Sequence, residues 1–298
     1  MIFGILITLD DILKFFFYMK RFISLVTRIG LNNAIKYIIL RWLGLEHVSA
    51  EVDTMYFFLN QSIDITQIKP ASDKNLRTLQ KCNAELLRVL ADYFNQNNLR
   101  YWLDFGTLLG AIRHSGSIPW DDDVDIAMPR EDYNSFLSNS KKLLEDKGIE
   151  IKPCQFWIGV GFKHEKTGIW IDVFPYDMFV SDKHYEEAKA SLKDSIIKRR
   201  PVHNEGTFTY YYLANENASI FRFHNGSTIF PLGTHFYEGY QLSIPNDSDS
   251  YLRTIYGNYM SLPKSGILHH SINGVELYNV HKNNGVIMEN ILDYLRGI

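Results

Sequence analysis

Residues 101–132 read YWLDFGTLLGAIRHSGSIPWDDDVDIAMPRED. The apolar pair Trp102-Leu103 predicts the end of a short strand, spanning Arg100 to Leu103. Asp104 then stands where a helix N-cap belongs, and Gly106 to His114 follow with helical spacing of apolar residues. After a turn rich in Gly and Ser, a second short apolar run from Val124 to Met128 predicts another strand. Pro129 opens a helix that runs to about Asp146, where Gly148 stops it. Strand, short helix, acidic loop and strand within so few residues predict an α/β or α+β catalytic domain.

Four aspartates fall between Asp121 and Asp125. Two carboxylates about 4 Å apart repel by about 4 kcal/mol at an effective dielectric near 20. Such a cluster calls for a cation, and a hard divalent ion with oxygen ligands is the usual one. If the strand begins early, alternation puts Asp121, Asp123 and Asp125 on one face, with Val124 and Ile126 toward the core and Asp122 turned away. Asp123 and Asp125 are then the metal pair. The third carboxylate is expected from Asp172, the sole charge in the apolar run 169–174, because a lone buried carboxylate is costly unless paired or metal-bound. The spacing from Asp121 to Asp132 imitates a calcium loop, but Ile126 occupies the sixth place, where such a loop needs Gly. Gly106 and Thr107, at the helix start, are candidates to bind phosphate through free backbone N–H groups, the helix dipole and the Thr hydroxyl. Arg113, two turns on, is placed either to reach an anionic substrate or to pair with the aspartates. Asp104 reads as a cap rather than a ligand. His269-His270 resembles a metal pair, but adjacent histidines usually point apart.

Outward from this stretch, Leu76, Leu79, Leu86, Leu87, Leu90 and Phe94 predict a helix over 73–97. Residues 156–163 and 169–174 predict two strands joined by the turn HEKTG. Ser181 or Asp182 is expected to cap a helix that ends before Pro201. Residues 202–245 have no clear period and read as loops with short elements, an irregular C-terminal region, before a small helix over 251–259. Two domains are expected: residues 1–70 as an amphipathic helical segment and 71–298 as the catalytic domain.

The 298 residues are 46% hydrophobic with a formal net charge of -3, which suits a globular core and excludes a dedicated nucleic-acid binder. Two cysteines, Cys82 and Cys154, imply neither a disulfide framework nor a zinc site, and point to a reducing, cytoplasmic compartment. Residues 1–45 hold six Lys or Arg against two acids. Asp10, Asp11 and Lys14 interrupt the segment short of the roughly 20 apolar residues of a membrane span. The segment is expected either to pack on the protein or to lie peripherally on the inner membrane face.

The motifs Y-W-L-D-F-G-T-L-L-G-A-I-R-H, I-P-W-D-D-D-V-D-I and W-I-D-V-F-P-Y-D closely resemble those of the LicD/fukutin-type transferases. F-Y-E-G-Y-Q-L-S-I-P and Y-L-R-T-I-Y-G-N-Y-M-S-L-P resemble the same family's later pattern, so the resemblance covers roughly 74–270. It implies a nucleotidyltransferase-like fold, α+β with a mixed sheet flanked by helices, and transfer of a phospho-alcohol from a CDP-activated donor to a sugar hydroxyl. Phosphocholine moved from CDP-choline to a lipopolysaccharide, capsule or teichoic acid is the leading expectation, with ribitol or glycerol phosphate as alternatives. It also implies Asp123, Asp125 and Asp172 as catalytic ligands of Mg²⁺ or Mn²⁺, with Gly106 and Thr107 on phosphate. On this mechanism Asp172 takes the acceptor proton, and Lys163 either steadies the diphosphate or is a solvated strand-edge lysine. A nucleotidyltransferase moving NMP uses the same residues, and a silent glycan-binding scaffold is the reading of a different class.

Overall fold

A computed structural model describes residues 64–69, 74–154, 156–162, 168–200, 204–214, 220–261 and 288–298. The expectations for residues 1–63, the boundary near residue 70, Lys163 and the His269-His270 pair lie outside these residues. Among the described residues, no helix is long and apolar enough to cross a membrane.

Helix α1 (Lys74–Gln96) forms where the leucine period predicted it. It buries Leu79, Leu86, Leu87, Leu90 and Phe94 completely. Strand β1 (Trp102–Leu103), helix α2 (Phe105–His114), strand β2 (Asp125–Pro129) and helix α3 (Arg130–Asp146) follow in the expected order. Phe94 of α1 meets Phe136 of α3 edge-to-face at 5.0 Å, so both helices share one core.

Strands β3 (Ile149–Pro153), β4 (Ile158–Phe162) and β5 (Trp170–Ser181) complete the sheet order β1-β2-β5-β4-β3. Only β2 and β5 are parallel among the described strand pairs; the rest are antiparallel. The architecture is α+β, a mixed sheet flanked by helices. β3 alternates over Ile149-Glu150-Ile151-Lys152, a run so short that the sequence reading did not mark it as a strand. Strand β5 runs seven residues past Phe174 because its second half pairs with β6 (Phe208–Ala214). Helix α4 (Tyr185–Ile197) therefore starts later than expected, and neither Ser181 nor Asp182 caps it. Asp182 instead accepts bonds from the N–H and hydroxyl of Thr207.

The region read as loops holds two hairpins. β6 pairs with β7 (Ile220–Asn225). After the one-turn helix α5 (Gly226–Ile229), β8 (Gly233–Tyr237) pairs with β9 (Tyr240–Ile244). Helix α6 (Ser248–Tyr256) and helical residues 288–296 follow. The aromatic side chains that blurred the period are the packing itself: Tyr210 stacks on Phe223 at 4.9 Å, and Phe230 meets Tyr211 at 5.2 Å.

Candidate functional site

The parallel pairing sets Asp125 of β2 directly beside Asp172 of β5. Neighbouring Ile126 and Val173 are fully buried, which holds the two carboxylates on the opposite face. Helix α2 grips Asp125 by its backbone. Thr107 Oγ1 accepts the Asp125 N–H at 2.7 Å, and the Asp104 N–H donates to the Asp125 carbonyl at 3.1 Å. Thr107 is buried, and this bond is what its hydroxyl does here. Burial pushes the Asp125 carboxyl well above the usual carboxylate range, and Asp123, Asp172, Asp121 and Asp104 push it further.

Asp172 accepts the Trp170 indole N–H at 3.0 Å. Burial raises its carboxyl to about 6, against the pull of the Trp157 and Trp170 indoles, and Asp123 adds to the rise. Trp170 can lie there because a Cβ on Gly159 would sit 1.8 Å from its ring. Glycine at 159 thus makes the place from which Trp170 reaches Asp172.

Asp121, Asp122 and Asp123 precede β2 rather than extend it, so strand alternation does not govern them. Each brings a carboxylate oxygen within 4.8 Å of the others. Asp122 is therefore grouped with its neighbours instead of turned away. An oxygen-only donor set of this kind suits a hard divalent cation. Gly106 has a steric role in the same place: a Cβ there would approach Asp121 Oδ2 to 2.7 Å. Buried polar residues of α1 hold the loop. Gln80 Nε2 donates to the carbonyls of Ile118 and Asp121 at 3.1 and 2.8 Å. Asn83 Nδ2 donates to the Asp122 carbonyl at 3.0 Å, while its Oδ1 accepts the Trp170 N–H at 3.0 Å. One amide thereby clamps the acidic loop to the start of β5.

Asp104 caps α2, accepting the Phe105 N–H at 2.8 Å. It is fully buried and also accepts the hydroxyls of Tyr176 and Tyr251, each at 2.8 Å. Phe105 takes a left-handed φ of 41° at the first position of the helix, a conformation costing a non-glycine residue about 1–2 kcal/mol. Its ring carries the Arg222 guanidinium 4.5 Å above it and meets Phe174 at 5.0 Å. Tyr256, at the end of α6, has its hydroxyl pushed upward by burial and by Asp125 and Asp104.

Arg113 is buried, donates to the Tyr259 carbonyl at 3.0 Å, and is lowered to about 10 by burial. Tyr256 and Asp121 favour its charge through space, while its hydrogen bond goes to the Tyr259 carbonyl and not to an aspartate. Asn83, Gln80, Arg222 and Tyr256 were not marked as site residues by the sequence. A polar residue on an otherwise apolar helix face was the available signal for Gln80 and Asn83.

An uncharacterized protein of Rickettsia typhi is 31% identical over 139 residues, 42% of this chain and 43% of that one. "Lipopolysaccharide cholinephosphotransferase LicD" of Haemophilus influenzae is 45% identical over 120 residues, 34% of this chain and 44% of that protein. "Ribitol 5-phosphate transferase FKRP" of Mus musculus is 46% identical over 51 residues, 17% of this chain and 10% of that protein. The matched stretches span less than half the length of each of these relatives. The family described as LicD/FKTN/FKRP, nucleotidyltransferase domain, matches residues 98–247, half of the 298. That interval carries α2, the acidic loop, Asp125 and Asp172, and the chain belongs to the LicD/FKTN/FKRP family.

Proposed function

We propose that this protein transfers a phospho-alcohol from a CDP-activated donor to a hydroxyl of a cell-surface glycan, phosphocholine being the first candidate. The observation that carries the reading is Asp125 beside Asp172, with the Asp121–Asp123 carboxylates gathered at the start of α2. Both functionally named relatives are phospho-alcohol transferases by name.

Asp123, Asp125 and Asp172 would hold Mg²⁺ or Mn²⁺; Asp125 is raised first by burial and then by its carboxylate neighbours, and that repulsion supports a cation among them. When bound, the ion neutralises charge on the phosphate oxygens and the leaving group. The chain's own part is positioning. Thr107 and Asn83 fix Asp125 and the acidic loop, and Gly106 leaves space for Asp121. The N-terminus of α2 favours negative charge nearby. Asp172 takes the proton of the acceptor hydroxyl. The acceptor oxygen then bonds to phosphorus as the bond to the CMP oxygen breaks, and CMP leaves with the electron pair.

Incubation with Mg²⁺, an acceptor glycan and CDP-choline, CDP-ribitol or CDP-glycerol tests the reading. CMP release with one of these donors is expected, and none with any of them refutes it. Residues 1–45, with their excess of basic residues, are proposed to contact an anionic membrane surface. Co-sedimentation with anionic vesicles should be lost when they are deleted, and unchanged sedimentation would dispose of the idea.

A further inference from the structure

Strands β8 and β9 are joined by two residues, with Tyr237 opposite Tyr240. The left-handed positions of such a turn favour Asn, Asp or Gly. Gly239 meets that demand with a φ of 91°, but the other position is Glu238, with a φ of 49°. A strained residue of this kind persists where its surroundings fix it, and such positions gather at functional sites. Here the surroundings are the chain that leads from α2 into the acidic loop.

The Glu238 side chain is 10% exposed and turns back over residues 115–117. Its Oε1 accepts the Ser117 N–H at 2.9 Å, and its own N–H donates to the Ser115 carbonyl at 3.0 Å. A Cβ on Gly116 would lie 2.8 Å from the same Oε1, so glycine there lets the carboxylate in. Ser117 Oγ and the Tyr237 hydroxyl share a bond of 3.0 Å. Arg77 of α1 donates to both Glu238 carboxylate oxygens, at 2.7 and 2.5 Å. Arg77 Nη1 also donates to Gln80 Oε1 at 3.2 Å. The amide nitrogen of that Gln80 is the one that holds the carbonyls of Ile118 and Asp121. The hairpin tip thus reaches the loop by two routes, one through Ser117 and one through Arg77 and Gln80. Burial raises the Glu238 carboxyl, but the bonds from Arg77 and Ser117 outweigh it and hold the group below its usual range. Burial also raises the Tyr237 hydroxyl, and the charges of Glu238, Asp121 and Asp123 add to the rise, which puts the hairpin within electrostatic range of the acidic loop.

We propose that Glu238 and Arg77 are positioning residues for the metal loop: the hairpin tip fixes the backbone of residues 115–121 and so sets where the Asp121–Asp123 carboxylates gather. The inference rests on the metal assignment proposed above and adds to it a distant part of the chain that acts through Ser117 and Gln80.

Charge alone and positioning give opposite expectations at Arg77. By charge alone, removing a cation near the acidic loop tightens the binding of another cation, whereas freeing the loop weakens it. Mn²⁺ affinity is measured on the full chain from the paramagnetic resonance signal of the free ion. The proteins compared are the natural one, Arg77→Met, and Arg77→Met with Glu238→Gly, which removes one charge of each sign. Both variants are expected to bind Mn²⁺ about tenfold more weakly, the scale for partners that orient metal ligands, with an unchanged circular dichroism spectrum. A folded Arg77→Met protein that binds Mn²⁺ as tightly as the natural one, or more tightly, overturns the inference. So does natural affinity in the folded double variant. Amide hydrogen exchange in the natural protein supplies a test that needs no variant. Coupling is reciprocal, so Mn²⁺ should slow exchange across residues 234–243 about tenfold and leave α4 unchanged. Exchange in 234–243 that ignores Mn²⁺, or slows no more than in α4, overturns the inference as well. A natural protein that binds no Mn²⁺ ends the metal assignment and this inference with it. Mn²⁺ binding that is indifferent to both variants ends this inference alone.

Discussion

Asp104 and Asp125 are joined through one backbone hydrogen bond, yet their carboxylates live in opposite circumstances. Asp104 is fully buried and receives one N–H and two tyrosine hydroxyls. Trp102 donates to Tyr251 at 3.1 Å, and His224 stacks on Tyr251 at 4.0 Å, so the partners of Asp104 are themselves held. Asp125 instead faces Asp123, Asp172 and Asp121, whose charges all push its proton affinity upward. A buried carboxylate surrounded by donors is part of the scaffold. One surrounded by carboxylates is unstable as it stands, which is the ground for the cation proposed there.

The comparison breaks most easily at Asp125. Asp125→Asn should lower the proposed CMP release by about a thousandfold, in line with removal of a group that holds transition-state charge. Its melting temperature in metal-free buffer should hold or rise, because like-charge repulsion is relieved. A folded variant that keeps its turnover would end the metal assignment. Asp104→Ala should behave in the opposite way, orphaning the hydroxyls of Tyr176 and Tyr251 and costing roughly 2–4 kcal/mol in urea unfolding. Wild-type stability in that variant would mean that the network carries no weight.

The pH dependence sharpens the scaffold side. Burial lowers His224 to about 3 and His114 to about 4, below the roughly 6.5 of an unfolded chain. Between pH 6.5 and those values the unfolded state binds protons that the folded state refuses, so this stability is lost as pH falls. His224→Phe keeps the stack on Tyr251 and should shrink the loss between pH 7 and pH 4.5 by up to about 3 kcal/mol. The contributions of Asp125 and Asp172 run the other way but are common to both proteins, so the difference isolates His224. Parallel acid limbs would show that its ring is protonated at no cost. The smallest effect is expected at Asn83. Asn83→Ala should cost about 1–2 kcal/mol and raise the Mg²⁺ concentration needed for half-maximal turnover, since the loop loses its clamp to β5. An unchanged Mg²⁺ requirement would place the clamp outside the function.

The order of elements from α1 to β5, β3 excepted, was legible because apolar periods there are clean and because Asp104, Pro129 and Gly148 mark ends. β6 to β8 were not, since Tyr, Phe and His fall on both faces of those strands and erase alternation, and β9, which does alternate over Tyr240, Leu242 and Ile244, is only five residues long. At the site, Asp125 and Asp172 stood out as charges in apolar strands. Their adjacency could not be read, because a parallel pairing joins residues 47 positions apart through register alone. Asp122 was misplaced by alternation, a rule valid only within a strand, and the strand begins at Asp125.

The residues themselves determined which groups can do chemistry here: an acidic run, a capped short helix opening on Gly106, and one more carboxylate in an apolar strand. These follow from local rules of charge, period and capping. Tertiary structure decided which of them meet. It aligned Asp125 with Asp172, brought Asn83 and Gln80 under the acidic loop, and seated Trp170 over Gly159. It also buried Asp104 among hydroxyls that lie 72 and 147 residues away. Hydrogen bonding, desolvation and like-charge repulsion act through space, so the role of each aspartate was set by its neighbours in the fold.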